Sequence, residues 1–307
     1  MILNILFIVI GIVLVLWGAD RLTDGAVAVA EKMKMPQIVI GLTIVAMGTS
    51  MPEFCVSLIS ALKGTSDLAV GNIVGSNIFN TLLIVGVSAL VAPMSIMKTT
   101  VRKDIPFALV ASALLLIMCL DGDISRIDAA ILFVMFLIFM YITLRGAKAQ
   151  GTDLEEKEKK PMATWLSVVW ILVGLVCLIG GSNLFVDGAT AVATKLGVSE
   201  AVIGLTIVAG GTSLPELATS VVSARKGNSG IAIGNVLGSN VFNILAILGL
   251  TGVISPMTLK GITMTDLSMM VISIILIWLF SFTKYKIERW EGAILTAVFV
   301  GYIYSLL

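Results

Sequence analysis

Two glutamates stand where the surrounding sequence holds no other charge. Glu53 lies in GTSMPEF, Gly48 to Phe54, between the uncharged stretches Gln37 to Met47 and Cys55 to Leu62, and Glu216 lies in the equally apolar GTSLPEL, Gly211 to Leu217. Each directly follows a proline. Proline has no N–H, so Pro52 leaves the Gly48 carbonyl, and Pro215 the Gly211 carbonyl, without a helical partner. Thr49 and Ser50 border the first break and Thr212 and Ser213 the second. Downstream, GNIVGSNIFN places Ser76 four residues before Asn80, and GNVLGSNVFN places Ser239 four before Asn243, one helix face in each case. Collected in one place, these groups offer carboxylate, hydroxyl, amide and backbone carbonyl oxygens, with no imidazole and no thiolate. Hard cations such as Ca²⁺ or Na⁺ take oxygen ligands, whereas zinc and copper sites recruit nitrogen or sulfur. Two glutamates match one divalent ion in charge. They also match two or more monovalent ions competing for the same place, which is the logic of exchange. A purely structural role for the pair is disfavoured: no Lys or Arg lies within either apolar core, and an intramembrane acid costs ~2.5–3.5 kcal/mol on insertion scales.

The elements that must hold these groups are membrane helices. The chain has 307 residues, 58% hydrophobic and 13% charged, with a mean hydropathy of +1.07. Ten apolar runs are long enough to cross a bilayer: Ile2 to Leu16 extending towards Ala30, Ile38 to Leu62, Leu68 to Ala92, Ile105 to Leu120, Ile124 to Leu144, Trp165 to Ala193, Ala201 to Ala224, Ile231 to Ile254, Leu267 to Phe282, and Ala293 to Leu306. If the N-terminus lies outside, the five inner loops hold fifteen Lys and Arg, against four outside (Lys63, Arg126, Lys195 and Lys260). The positive-inside rule then puts both termini outside. The first run has no basic n-region and no small-residue cleavage pattern after it, so it reads as a retained helix and not a signal peptide.

The chain repeats itself. Ile40 to Pro93 aligns without a gap with Ile203 to Pro256, more than half of the positions being identical, and DGAVAVAEKM at Asp24 resembles DGATAVATKL at Asp187. The polar stretch ending in LEEKEKKP separates the copies, giving a first repeat over 1–145, a cytoplasmic linker over 146–161 and a second repeat over 162–307. Each copy has five spans, so the second enters the membrane from the opposite side. The expected fold is therefore an all-α membrane protein of ten transmembrane helices in two inverted five-helix repeats, an arrangement that puts a transport site near the midplane.

Other signals carry less. DGDISRID, Asp121 to Asp128, opens like a calcium loop but has Arg126 where the tight-turn glycine belongs and Leu132 where the bidentate glutamate belongs. Asp24 and Asp187 read as interface residues, and Gly71, Gly75, Gly234 and Gly238 as close helix packing. Cys55, Cys119 and Cys177 lie inside spans and suggest packing, with no disulfide framework. A net charge of +1 offers no basic patch for nucleic acid. With no histidine there is no Ser-His triad, and no plausible nucleophile and base pair for an intramembrane enzyme. A passive channel is disfavoured because channels commonly build a pore around an axis from several subunits.

The two pairs of phrases, GTSMPE with GNIVGSNIFN and GTSLPE with GNVLGSNVFN, resemble the two alpha-repeats of the cation/calcium exchanger superfamily, in its bacterial sodium/calcium antiporter branch. The resemblance covers the whole chain. It implies an antiporter that is not an enzyme, resident in a bacterial or archaeal plasma (inner) membrane, with Ca²⁺ and Na⁺ as transported ions, no separate cofactor and no protein partner. By the same resemblance Glu53 and Glu216 are the central calcium ligands, joined by Thr49 and Thr212 through their carbonyls. Ser50, Ser76, Ser213 and Ser239, with the Ala46 and Ala209 carbonyls, form flanking sodium sites, and Asn80 and Asn243 line the centre. The first and sixth helices are expected to slide across the rest. Proton-coupled members, the nearest alternative, usually carry a different glutamate phrase. Several members, including the potassium-dependent branch, have aspartate where Asn243 stands.

Overall fold

The computed structural model describes residues 1–149, 162–197 and 209–306; most of the expected linker and the start of the expected span from Ala201 lie outside them. The described chain is helical apart from short turns and four two-residue strands. In order, the helices are α1 (Ile2–Met33), α2 (Gln37–Thr49), α3 (Met51–Leu62), α4 (Ser66–Val91), α5 (Thr100–Asp121), α6 (Arg126–Ala149), α7 (Thr164–Lys195), α8 (Ala209–Thr212), α9 (Leu214–Arg225), α10 (Ser229–Ile254), α11 (Met264–Ser281) and α12 (Arg289–Leu306). Among the described residues seven helices are long and apolar enough to cross a membrane, eight when α2 and α3 count as one span bent by 49°. That count stops short of the ten expected spans for two local reasons. Most of the first part of the expected span from Ala201 lies outside the described residues, and α12 opens with Arg289 and Glu291, which lower its apolarity.

Proline explains the bend. Pro52 sits in the first turn of α3, where its missing N–H is tolerated, and Ser50, at φ −84° and ψ 11°, is the hinge. Pro215 and Ser213 (φ −91°, ψ 7°) repeat this between α8 and α9.

Burial sorts the helices into a centre and a periphery. In its most apolar stretch α10 is 94% buried and α4 72%, against 22% for α1. The exposed face of α1 carries Ile2, Leu3, Val9, Val13 and Leu16, a surface suited to lipid tails and not to water. α1 lies antiparallel to α7 along a seam of small residues spaced by seven. A Cβ built on Gly11 would stand 2.7 Å from the Gly181 carbonyl oxygen, one on Gly18 2.8 Å from that of Gly174, and one on Gly25 2.7 Å from that of Ser167. Backbones approach this closely only where side chains are absent, and such contact supplies the van der Waals attraction that holds helices together in lipid. Of the four glycines expected to pack closely, Gly234 and Gly238 do so against Ile38, Gly41 and Leu42 of α2, and Gly71 meets the Ile262 side chain. Gly75 does not, a Cβ there having nothing within 4 Å.

Loops expected on one side of the membrane meet one another. β1 (Met94–Ser95) pairs antiparallel with β4 (Lys286–Ile287), and β2 (Asp123–Ile124) with β3 (Met257–Thr258). Asp67 accepts from the Lys260 and Gly261 backbone N–H groups, and Gln37 donates to Asn228. The calcium-loop look-alike is a turn and helix start, with Asp128 accepting from Ser125 N and Oγ. Of the three cysteines, Cys119 is buried, Cys177 intermediate and Cys55 exposed; all are free thiols.

Candidate ion-binding site

Both glutamates are buried, and each is held by the other half of the chain. Ser50 Oγ, at the α2–α3 hinge, donates to Glu216 Oε1 at 2.8 Å, while Ser213 Oγ, at the α8–α9 hinge, donates to Glu53 Oε1 at 3.0 Å. The hinges therefore do two things. They free backbone carbonyls, and they aim a hydroxyl across the pseudo-symmetric centre. Ser76 Oγ lies 3.3 Å from Ser213 Oγ, and Ser239 Oγ stands 3.5 Å from Glu216 Oε1, a looser contact.

The backbone just after each break is held by an asparagine of the following helix. Asn72 Nδ2 donates to the Glu53 carbonyl (3.2 Å) and to Ser57 Oγ (3.0 Å); Asn235 Nδ2 repeats this with the Glu216 carbonyl (3.2 Å) and Ser220 Oγ (3.0 Å). Thr49 Oγ1 lies 3.1 Å from Asn235 Oδ1, which joins the two halves again, and 3.3 Å from the Ala46 carbonyl, which also accepts the Ser50 N–H. Thr212 takes the matching place at the end of α8, in contact with the Glu53 carboxylate. Ala209 is the first residue of α8. The carbonyl freed by Pro215, that of Gly211, accepts a hydrogen bond from Ser182 of α7. The residue matching Ser182 in the first half is Ala19, which has no hydroxyl to offer.

Asn80 and Asn243 both fall in widened, π-helical turns, Phe79–Ile84 and Phe242–Leu248, where the extra residue per turn shifts side chains off the α-helical stripe. Their Nδ2 atoms are used, donating to Asn240 Oδ1 (3.1 Å) and Asn77 Oδ1 (3.0 Å) respectively. Among the described residues, the buried side-chain oxygens without a hydrogen-bond partner include Glu53 Oε2, Glu216 Oε2, Asn80 Oδ1 and Asn243 Oδ1, a carboxylate and an amide from each half. A buried acceptor left without a donor is costly unless a cation completes it.

Chemically this is an all-oxygen, two-carboxylate centre. Among the described residues no three His, Cys, Asp or Glu side chains cluster elsewhere as a metal site. Two carboxylates are fewer than a tight calcium buffer uses, and affinity falls as ligand charge and rigidity are reduced. An ion held this way can also leave, as a transporter requires. The structure ties Ser50 and Ser239 to Glu216, Ser213 to Glu53 and Ser76, and Thr49 to Asn235 and the Ala46 carbonyl, while Asn80 and Asn243 bond to Asn240 and Asn77. It adds Asn72, Asn235, Asn77, Asn240 and Ser182. Asn72 and Asn235 could have been found, since each stands four residues before Ser76 or Ser239, on the same helix face. Ser182 had no repeated phrase to mark it.

The whole chain has known relatives. The family described as sodium/calcium exchanger protein matches residues 3–145 and 166–307. The inner membrane protein YrbG of Escherichia coli (strain K12) is 37% identical over all of this chain and 97% of its own length, and the sodium/calcium exchanger MaX1 of Methanosarcina acetivorans 32% identical over 99% of this chain and 98% of its own. Among solved structures, the sodium-calcium exchanger NCX_Mj superposes with a TM-score of 0.88 at 32% identity, covering 100% of this chain and 99% of that one. These matches run across both halves and through the helices that hold Glu53 and Glu216, and the chain belongs to the sodium/calcium exchanger protein family.

Proposed function

We propose that the protein exchanges Na⁺ for Ca²⁺ across a bacterial or archaeal plasma membrane, by alternating access at the centre between the α2–α3 and α8–α9 hinges. One observation carries the reading: a carboxylate and an amide oxygen from each half are buried without a hydrogen-bond partner among the described residues, while the other oxygen of each carboxylate is held by a serine of the opposite half. Glu53 and Glu216 balance the two charges of Ca²⁺, with the Thr49 and Thr212 carbonyls beside them. Sodium ions use the hydroxyls of Ser50, Ser76, Ser213 and Ser239 with the Ala46 and Ala209 carbonyls, and neutralise the same carboxylates. Calcium and sodium then cannot both be fully held, and their competition couples the fluxes.

The chain is read as ten spans in two inverted repeats with both termini outside, and α1 with α7 as the unit that slides. Support for the slide comes from ties between that pair and the rest that differ at the two expected faces. At the expected inner face Lys226, just after α9, reaches Asp20 Oδ1 at 2.6 Å and Asp24 Oδ1 at 2.8 Å of α1. The matching residues in the other repeat are Lys63, Asn183 and Asp187, and Lys63 forms no ion pair with Asp187 among the described residues. One latch closed and its counterpart open is what a single end state of such a cycle requires. Asn183 in place of Asp20 leaves the second latch one carboxylate weaker.

The experiment is calcium flux into proteoliposomes holding the purified protein, under an imposed sodium gradient, an imposed proton gradient or none, with potassium present or replaced by choline. Flux driven by sodium and indifferent to potassium is expected, since two carboxylates already neutralise one Ca²⁺ and a further K⁺ would leave uncompensated charge in an apolar site. Flux that follows the proton gradient would move the protein to the proton-coupled branch. Flux without any gradient coupling would make it a channel.

A further inference from the structure

The centre works with oxygen only if the amides of Asn80 and Asn243 turn their oxygens, and not their nitrogens, towards the ion. An amide is close to symmetric in shape, and nothing in its own packing distinguishes the two ways round. What distinguishes them is the next ring of hydrogen bonds, and that ring can be followed to groups that cannot turn over. On one side, Asn77 Nδ2 faces the backbone carbonyl of Asn240 at 3.2 Å. A carbonyl only accepts, so Asn77 must present its nitrogen there and its Oδ1 to Asn243 Nδ2, 3.0 Å away. Asn243 Oδ1 is thereby left facing the ion. On the other side, Thr81 Oγ1 donates its proton to the Asn77 carbonyl at 2.6 Å, which leaves only lone pairs for Asn240 Nδ2 at 2.7 Å. Asn240 then presents Oδ1 to Asn80 Nδ2 at 3.1 Å, and Asn80 Oδ1 is left facing the ion. All five side chains are buried.

We infer that Asn77, Asn240 and Thr81 are positioning residues that fix the polarity of the two central amides, and so make the centre a cation site. The claim rests on the exchange reading of the same centre and goes beyond it. None of the three touches the ion. The ring is also asymmetric: the residue matching Thr81 is Ile244, and the bond that Asn240 Nδ2 would make by symmetry, to the Asn77 carbonyl, is taken by the Thr81 hydroxyl. One threonine therefore anchors the branch that ends at Asn80, while a main-chain carbonyl anchors the branch that ends at Asn243.

The test uses Thr81→Val, which keeps the shape and removes the acceptor, and Thr81→Ser, which restores the hydroxyl. Both are made in the full chain, alone and with Asn80→Asp, whose carboxylate shows oxygen whichever way it turns. Calcium affinity is read by calorimetry on the purified protein, and the calcium KM and maximal rate by sodium-driven flux. Thr81→Val should weaken calcium affinity on the order of 10-fold, the lower end of what losing such an outer partner does at metal sites. Thr81→Ser should restore it, and in the Asn80→Asp background the Thr81→Val effect should vanish. An unchanged affinity in Thr81→Val overturns the inference. So does a loss that persists beside Asn80→Asp, since that would mark a general packing defect. Calcium binding without sodium-driven flux in the unsubstituted protein would sink the exchange reading and leave the calorimetric comparison standing.

Discussion

The seam between α1 and α7 can be tested by a single methyl group. In Gly18→Ala the new Cβ would lie 2.8 Å from Gly174 O, 2.9 Å from Cys177 Cβ and 3.0 Å from Leu178 N. Two of these atoms are backbone and the third is a Cβ, so no side-chain rotation relieves the overlap. Ordinary contact begins near 3.4 Å, and the helices must therefore part locally by about 0.6 Å, an overpacking that costs ~1–3 kcal/mol. Parting also weakens neighbouring contacts, because a gap of 0.5–1 Å forfeits roughly a quarter to a half of the dispersion well, and in lipid that attraction is most of what holds the pair. Thermal unfolding of the purified full chain should show Gly18→Ala melting lower than wild type, on the order of 2–10 °C. Gly75→Ala, where the added methyl has nothing within 4 Å, is the control and should melt with wild type. If Gly18→Ala melts where the wild type and Gly75→Ala do, the backbone-to-backbone seam is wrong.

Glu53→Gln and Glu216→Gln should each abolish sodium-driven calcium flux while the protein remains folded by melting and gel filtration, since each removes half of the charge that balances Ca²⁺; wild-type flux in either variant would refute the shared centre. Lys226→Gln removes the ties to Asp20 and Asp24 and should speed labelling, by an impermeant thiol reagent from the inner side, of a cysteine placed at Ser223. That serine is buried, with its Oγ 3.0 Å from Thr23 of α1, and an unchanged labelling rate in an otherwise cysteine-free protein would show that the latch does not close this face. A cysteine at Asp123 should react only from outside and one at Gly151 only from inside; labelling of both from one side would overturn the inverted arrangement.

Much of the centre was legible because it is written twice. Glu53, Ser50 and Thr49 recur with their spacing at Glu216, Ser213 and Thr212, and a charge so placed in an apolar run has few structural uses. Asn80 and Asn243 were found by helical spacing from Ser76 and Ser239, although π-helical turns displace them from a regular stripe. What the sequence hid is what depends on distance along the chain. No local pattern says that Ser50 serves Glu216 and not Glu53, which is three residues away; only the crossing of the two hinges does. The heptad of Gly11, Gly18 and Gly25 against Gly181, Gly174 and Ser167 was likewise invisible from either helix alone. Two-residue strands such as Met94–Ser95 with Lys286–Ile287 are too short to leave a period. The second break could be read from Pro215, yet the start of the expected span from Ala201 lies outside the described residues.

The crossed serines also bear on how the protein is made. Glu53 enters the bilayer early, but the hydroxyl that holds it, on Ser213, is 160 residues further along the chain. At about 5–20 residues per second the ribosome needs roughly 8–32 s to deliver it. Through that interval the first repeat must keep a carboxylate without its donor, either protonated or held by water. A nascent chain released after α6 would contain a complete GTSMPE phrase and no finished centre. The order of synthesis therefore leaves Glu53 waiting for its donor until the second half of the chain folds against the first.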